Sequence, residues 1–106
     1  MSRRLNAVGA RFDFAKVQKL DEKIADILEK KAHNIKDNEP EKTEEDPTRP
    51  GRRRVKDEFM HPINDQVRTD SMQEFLKEIY KEEEVPAEHV SELDSALGIA
   101  YRIRRG

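Results

Sequence analysis

The sequence predicts a mainly α-helical fold with three amphipathic helices, in which a charged, extended arm separates the first helix from the other two. Two observations lead to this prediction. Apolar residues recur at intervals of three and four in separate stretches of the 106-residue chain. Between Lys36 and Glu58, by contrast, Val55 is the single apolar residue among 23. A short C-terminal strand is a further possibility.

The composition limits the classes of function. Charged residues make up 42% of the chain, against about 25% in an average domain. Because 23 acidic residues nearly cancel 21 basic ones, the net charge is -2, which excludes strong overall steering toward nucleic acid. The sequence has no cysteine, which favours an intracellular (cytoplasmic) location or the interior of a virion. It has no apolar run of 18 residues, so we expect no contact with a membrane.

The first 12 residues form a basic segment. Arg3, Arg4 and Arg11 lie here, and no continuous apolar stretch follows the first two arginines. A secretory signal needs such a stretch, so we expect none.

The clearest helix is predicted near 13–34, within a unit that spans 13–35. Asp13 is in a position to cap it. The apolar residues that follow are spaced for one helical face, and the opposite face carries mixed charges. Burying this face needs either the two later helices, folded back across the arm, or another chain. We favour the second alternative and expect an interface with a partner protein or a second copy. The predicted interface residues are Val17, Leu20, Ile24, Ile27 and Leu28.

The arm over 36–58 is predicted to be flexible, because a stretch with high charge and few apolar residues cannot offset the entropy of ordering. Its second half is basic. In composition it resembles the arginine-rich minor-groove arms of the AT-hook type, although their Arg-Gly-Arg core is absent. Three alternatives stay open: a linker whose acids and bases compensate each other, an arm that contacts phosphates, and an arm that binds an acidic patch on a protein. The candidate contact residues are Arg49, Arg52, Arg53, Arg54 and Lys56.

The remaining residues, 59–106, are predicted to form a small helical unit. The 59–68 stretch has apolar residues but no evident period, which indicates an ordered loop. A helix follows near 70–84, in which Ser71 and Glu74 can form a capping box. Its apolar stripe is expected to supply the local core through Phe75, Leu76, Ile79 and Tyr80.

A third helix is predicted near 87–97. Pro86 suits its first position, and Gly98 suits its C-terminal cap. Over 99–105, apolar and polar residues alternate as in a strand, although the spacing of Leu97, Ala100 and Tyr101 also suits a longer helix. The strand is slightly favoured.

Motifs for catalysis or cofactor binding are absent from the sequence. Each of His33, His61 and His89 has an acid three or four residues away, but such pairs arise by chance in so acidic a chain, so we expect ordinary surface or helix-end histidines. The acidic run that begins at Asp37 lacks the glycine and the final glutamate of a calcium loop. We therefore expect no metal, no cofactor and no small-molecule substrate, and no enzymatic activity.

The sequence thus predicts a non-catalytic assembly or adaptor subunit that docks onto a larger protein complex through amphipathic helices. The alternative is an accessory or regulatory protein that binds nucleic acid, with the cations between Arg49 and Lys56 on phosphates.

Overall fold

A computed structural model describes residues 11–106, so most of the predicted basic segment over 1–12 lies outside the described residues. The mainly helical prediction is confirmed. The element order is α1 (Phe14–Asn38), a 3-10 helix (Pro40–Lys42), β1 (Thr43–Glu45), β2 (Arg53–Val55), α2 (Asp57–Glu78) and α3 (Ala87–Arg105). None of these helices combines the length and the apolar content that crossing a bilayer requires.

The longest helix, α1, packs against both of the others. It begins at Phe14 because the Asp13 side chain accepts a hydrogen bond of 2.9 Å from the backbone N–H of Ala15. Its early residues lie beside the end of α2, where the Tyr80 hydroxyl accepts a 2.7 Å hydrogen bond from the Asp13 N–H, so α1 and α2 run antiparallel. α3 runs parallel to α1, since ion pairs join Arg11 to Glu92 near the beginning and Asp21 to Arg104 further along.

One apolar core lies between the three helices. Leu76, Leu93 and Leu97 are completely buried, and Val17 is 1% exposed. Phe12 packs its ring edge-on against Tyr80, with the ring centroids 5.4 Å apart. The other buried members of this core are Leu20, Ile24, Val67, Met72, Phe75, Ala96 and Ala100.

The core contains the residues that the sequence suggested as a partner interface. Val17, Leu20 and Ile24 are buried by α2 and α3 of the same chain, so their prediction as an exposed docking surface is wrong. Ile27 and Leu28 are partly buried and pack against the same core. The error follows from the lengths predicted for α2 and α3, both of which are longer in the structure and supply the apolar cover for α1.

The predicted loop over 59–68 is instead the first half of α2. Met60, Ile63 and Val67 have helical spacing, and α2 absorbs Pro62 near its beginning. A proline there removes a single hydrogen bond, to a carbonyl in the first turn, so the helix continues through it. α2 ends at Glu78 rather than at 84.

The chain leaves α2 through a left-handed residue. Lys81 has φ of 58°, and the N–H of Glu82 donates a 3.1 Å hydrogen bond to the carbonyl of Leu76. This bond is one residue longer than the 6→1 bond of a Schellman motif, and it closes the turn that follows the helix. The position usually holds glycine, because a Cβ atom is crowded by the backbone there.

The slight preference for a strand after Gly98 is wrong, because α3 continues to Arg105. Gly98 lies within the helix and does not cap it, and Pro86 is the N-cap residue rather than the first helical one. Leu97, Ala100 and Tyr101 are therefore spaced as residues of a helix and not of a strand. This spacing keeps Leu97 and Ala100 buried in the core.

The predicted flexible arm over 36–58 has regular structure instead. α1 extends to Asn38, and β1 and β2 pair antiparallel with Thr43 opposite Val55. The hairpin packs on the end of α1, where Ile35 and Val55 are buried. Pro50 and Gly51, which has φ of 82°, form a turn of the type that requires glycine at its second central position.

A buried carboxylate connects α1 to the end of α3. Asp21 is 5% exposed, and its Oδ2 accepts a 2.5 Å hydrogen bond from Nε of Arg104. A buried carboxylate without a partner is strongly unfavourable, so the arginine offsets the desolvation of Asp21.

Replacing Lys81 with glycine should stabilise the fold. Lys81→Gly removes the crowding of the left-handed backbone, and we expect the free energy of unfolding to rise by about 0.5–1 kcal/mol. Lys77→Gly, within α2, is the matched control and should lower it by about 1 kcal/mol. Urea unfolding measures both, and a loss of stability in Lys81→Gly would contradict the assignment.

Removing the partner of Asp21 should destabilise the fold. We expect Arg104→Ala to lower the free energy of unfolding by about 1–3 kcal/mol, because it leaves a buried carboxylate unpaired. Arg102→Ala, on the exposed side of α3, should change it by less than about 0.5 kcal/mol. Equal effects of the two variants in urea unfolding would show that the ion pair is unimportant.

Candidate docking groove

A surface groove lies between the first half of α1 and the end of α2. It has a volume of about 490 Å³ and is lined mainly by apolar surface, with charged side chains at its rim. The residues from α1 are Lys16, Lys19, Leu20 and Lys23, and those from α2 and the turn after it are Ser71, Glu74, Phe75, Glu78, Ile79 and Lys81.

The floor of the groove is the edge of the core. Leu20 and Phe75 are buried, whereas Ile79 is 46% exposed. Ile79 was predicted to belong to the local core with Phe75, Leu76 and Tyr80, and in this respect the prediction is wrong. Its spacing puts it on the same stripe as Phe75 and Leu76, but it lies at the end of α2 and opens into the groove. An apolar side chain at the bottom of a concave surface is a typical anchor point for a ligand or partner.

The rim carries more positive than negative charge. Four lysines and two glutamates line the groove, and one lysine is already paired, since Nζ of Lys23 lies 2.9 Å from Oε1 of Glu74. The Lys16 ammonium lies 5.8 Å from the centroid of the Tyr80 ring. Between residues 11 and 106, Lys19 and Lys81 make no side-chain hydrogen bond or ion pair. Among the residues that line the groove, lysines therefore outnumber glutamates, although Glu82, Glu83 and Glu84 directly follow Lys81 in the chain.

The placement of two of these lysines opposes the stability of the fold. Lys16 is in the first turn of α1, where the helix dipole is positive and an acidic residue is favoured, and that turn contains no acid. Lys81 holds a left-handed backbone that suits glycine better. Residues that break local rules of stability often serve function, and here both lie at the rim of one groove.

A shallower depression of about 230 Å³ continues the groove along the same two helices. The two share Lys23, Ser71 and Glu74. The depression extends to Ile27 and Lys31, and its charges balance, because Lys23 and Lys31 face Asp70 and Glu74. From Lys16 to Lys31 the two together follow about 22 Å of α1, at roughly 1.5 Å per residue.

The hairpin uses two of the five cations suggested for phosphate or acidic-patch contact. Arg54 lies opposite Glu44 in the sheet register, and its Nε donates a 2.9 Å hydrogen bond to the glutamate. Arg53 donates hydrogen bonds to the carbonyl and hydroxyl oxygens of Thr43. The acids and bases of the arm thus partly compensate each other, as one of the three alternatives predicts.

The other three candidate cations lie in or beside the turn. Arg49 and Arg52 are exposed in the hairpin turn, and the half-buried Lys56 precedes α2. None of the five cations lines the groove, so the structure does not join them with the groove in one site. Nucleic-acid binding by the hairpin stays a prediction.

The histidines are not part of a metal-binding group in the described residues. His33 and His61 are exposed beside Asp37 and Asp65. His89 is at the beginning of α3, and its Nδ1 lies 2.8 Å from Glu82 rather than beside the Glu92 suggested by sequence spacing. Between residues 11 and 106 no group of three histidine or acidic side chains is arranged to hold a metal ion.

An arginine completes the cluster around His89. Arg11 lies 3.0 Å from Nε2 of His89 and pairs with Glu92, with Nε and Oε1 2.6 Å apart. The hydrogen bond from Arg11 lowers the pKa of Glu92, and the same bond raises the pKa of Arg11. These contacts hold the chain just before α1 to the beginning of α3, which indicates a structural role, although Oε1 of Glu82 is buried without a hydrogen-bond partner.

Reasoning from the sequence did not identify the groove. Its lysines were assigned to a solvated face of the first helix, and Ile79 to a core. One signal was available: Lys16 stands in the first helical turn, where a capping box would have an acid. The left-handed Lys81 has no sequence signal, because any lysine after a helix looks alike.

Comparisons with protein-family models, with curated proteins and with solved structures found no match for this chain.

The hairpin turn allows a prediction on pH dependence. Oδ1 of Asp46 accepts hydrogen bonds from the hydroxyl and the N–H of Thr48, at 2.7 and 2.9 Å, and these bonds lower the pKa of Asp46. They therefore favour the folded hairpin above the ordinary aspartate pKa of about 4, and this contribution is lost as the pH falls through the lowered pKa.

We expect Thr48→Val to raise the pKa of Asp46 toward its ordinary value. The variant loses the hydrogen bond from the Thr48 hydroxyl, which lowers this pKa more than the bond from the N–H does, and it keeps the N–H bond. Titration of the carboxyl carbon by NMR measures the shift. The pKa of Glu92, which the hydrogen bond from Arg11 lowers, serves as the internal control and should not change. An unchanged pKa of Asp46 in the variant would show that the Thr48 hydroxyl does not lower it.

Proposed function

We propose that the protein is a non-catalytic docking subunit that binds a protein partner in the groove between α1 and α2. The observation that carries this proposal is the half-exposed Ile79 at the bottom of a groove whose other apolar residues are buried. The groove replaces the apolar face of α1 as the docking surface, because that face is occupied inside the chain.

The dimensions of the groove support a protein partner. The groove and the adjoining depression, which meet at the Lys23–Glu74 ion pair, together extend about 22 Å along α1, the length of about four turns of a helix. Amphipathic helices commonly bind in this manner, with apolar anchors in the groove and polar residues at its edges.

The test compares two exposed isoleucines. Ile79→Ser removes the apolar anchor of the groove, and Ile103→Ser removes the 55% exposed isoleucine at the end of α3, outside the groove. Each tagged variant is expressed in the cells that normally produce the protein, and stoichiometric co-purifying proteins are quantified. Thermal melts establish that both variants remain folded.

We expect Ile79→Ser to weaken capture of a defined partner by about 5- to 10-fold, since roughly half of an isoleucine's burial energy is lost from the interface. Ile103→Ser should leave capture unchanged. Equal capture by both variants, or the absence of any stoichiometric partner of the unsubstituted chain, would contradict the proposal.

A further inference from the structure

The charge of the groove specifies which kind of protein segment it accepts. We propose that the occupant is an amphipathic peptide helix with an apolar stripe and acidic flanks, whose acidic residues contact Lys16, Lys19 and Lys81. This inference rests on the proposed function and adds the chemistry of the partner.

The first step concerns the sign of the charge. Lys23 and Glu74 form an ion pair, which leaves Lys16, Lys19 and Lys81 against Glu78 at the open end of the groove. The positive end of the α1 dipole is at the same place and adds to the lysines. An acidic segment is attracted there, and a basic segment is repelled.

The second step is the apolar floor, which separates this site from a general surface for polyanions. Leu20, Phe75 and Ile79 form the floor, and the groove exposes more apolar than polar area. A polyanion without apolar groups would contact the rim and leave Ile79 in water. An apolar side chain on the partner would cover Ile79, and this burial is favourable by roughly 25 cal/mol per Å².

The third step compares a separate helix with a second copy of the chain. A stable dimer needs a large, mostly apolar surface on each copy, about 800 Å² per partner. Here the exposed apolar residue in the groove is Ile79 alone, and lysines flank it on both sides. The surface is also concave, so a single inserted helix matches it better than a copy of the same concave face.

The test uses three synthetic 16-residue peptides on one alanine background. The first has leucines at helical spacing with glutamates on both sides. The second has lysines in place of the glutamates, and the third keeps the glutamates but has serines in place of the leucines. Binding to the full chain is measured by isothermal titration calorimetry at 50 and 300 mM salt.

We expect the leucine–glutamate peptide to bind at least 10-fold more tightly than either of the other two, and to weaken as salt rises. The double variant K19E/K81E should weaken it by about 10-fold or more. The matched variant K30E/K36E, with the same net charge and both changes outside the groove, should weaken it by less than about 3-fold.

Other outcomes would overturn the inference. If the lysine peptide binds more tightly than the leucine–glutamate peptide, the partner is basic rather than acidic. If the serine peptide binds as tightly as the leucine–glutamate peptide, the groove is a general surface for polyanions. Equal effects of the two double variants would indicate attraction by net charge alone. A dimer in sedimentation velocity that K19E/K81E dissociates would assign the groove to a second copy.

These results separate the two proposals. If Ile79→Ser abolishes capture of the cellular partner and the leucine–glutamate peptide does not bind, the groove remains a docking site and the inferred chemistry of its partner is wrong. If neither the cellular partner nor the peptide depends on Ile79, both proposals are wrong.

Discussion

The burial of the apolar stripe of α1 between α2 and α3 is the packing on which the rest of the structure depends. Val17, Leu20 and Ile24 contribute to one core with residues of both other helices. In a chain with 42% charged residues this core is small, and all three helices contribute to it. The ion pairs between α1 and α3 act at the edge of this core. The apolar contact holds α1 and α3 together, and the Asp21–Arg104 pair fixes how the two helices are aligned.

The sequence predicted the helices with strong period and missed the elements whose signals conflict. α1 and its Asp13 cap were evident, because spacing, capping and charge all agree there. The first half of α2 was missed, since the 59–68 stretch shows no evident period when it is read alone, although Met60, Ile63 and Val67 have helical spacing. The hairpin was missed because its order comes from pairs between distant residues, such as Glu44 with Arg54, which composition does not contain. The Glu44–Arg54 and Glu39–Lys42 pairs agree with partial compensation of acids and bases in this segment, which is one of the three alternatives from its composition.

The candidate site was hidden from sequence reasoning for a related physical reason. A groove exists only once two helices are packed, so Lys16 and Lys81, which are far apart in the chain, give no joint signal before folding. The folded structure shows that two residues that lower local stability lie at the same groove. A left-handed lysine and a cation in the first turn of a helix each oppose stability, and a half-exposed isoleucine lies at the same groove. Their common position at one groove is the reason to interpret them as a binding surface.

The central claim is that α1 is covered by its own chain and needs no partner to fold. Native-state hydrogen exchange on the dilute monomer tests it most directly, compared with the free energy of unfolding from urea denaturation. The account predicts that the amides between Val17 and Ile24 exchange only through global unfolding, with the same free energy as the buried amides of α3 around Leu97. Rapid exchange of these α1 amides while α3 stays protected, or protection that appears only at high protein concentration, would contradict it.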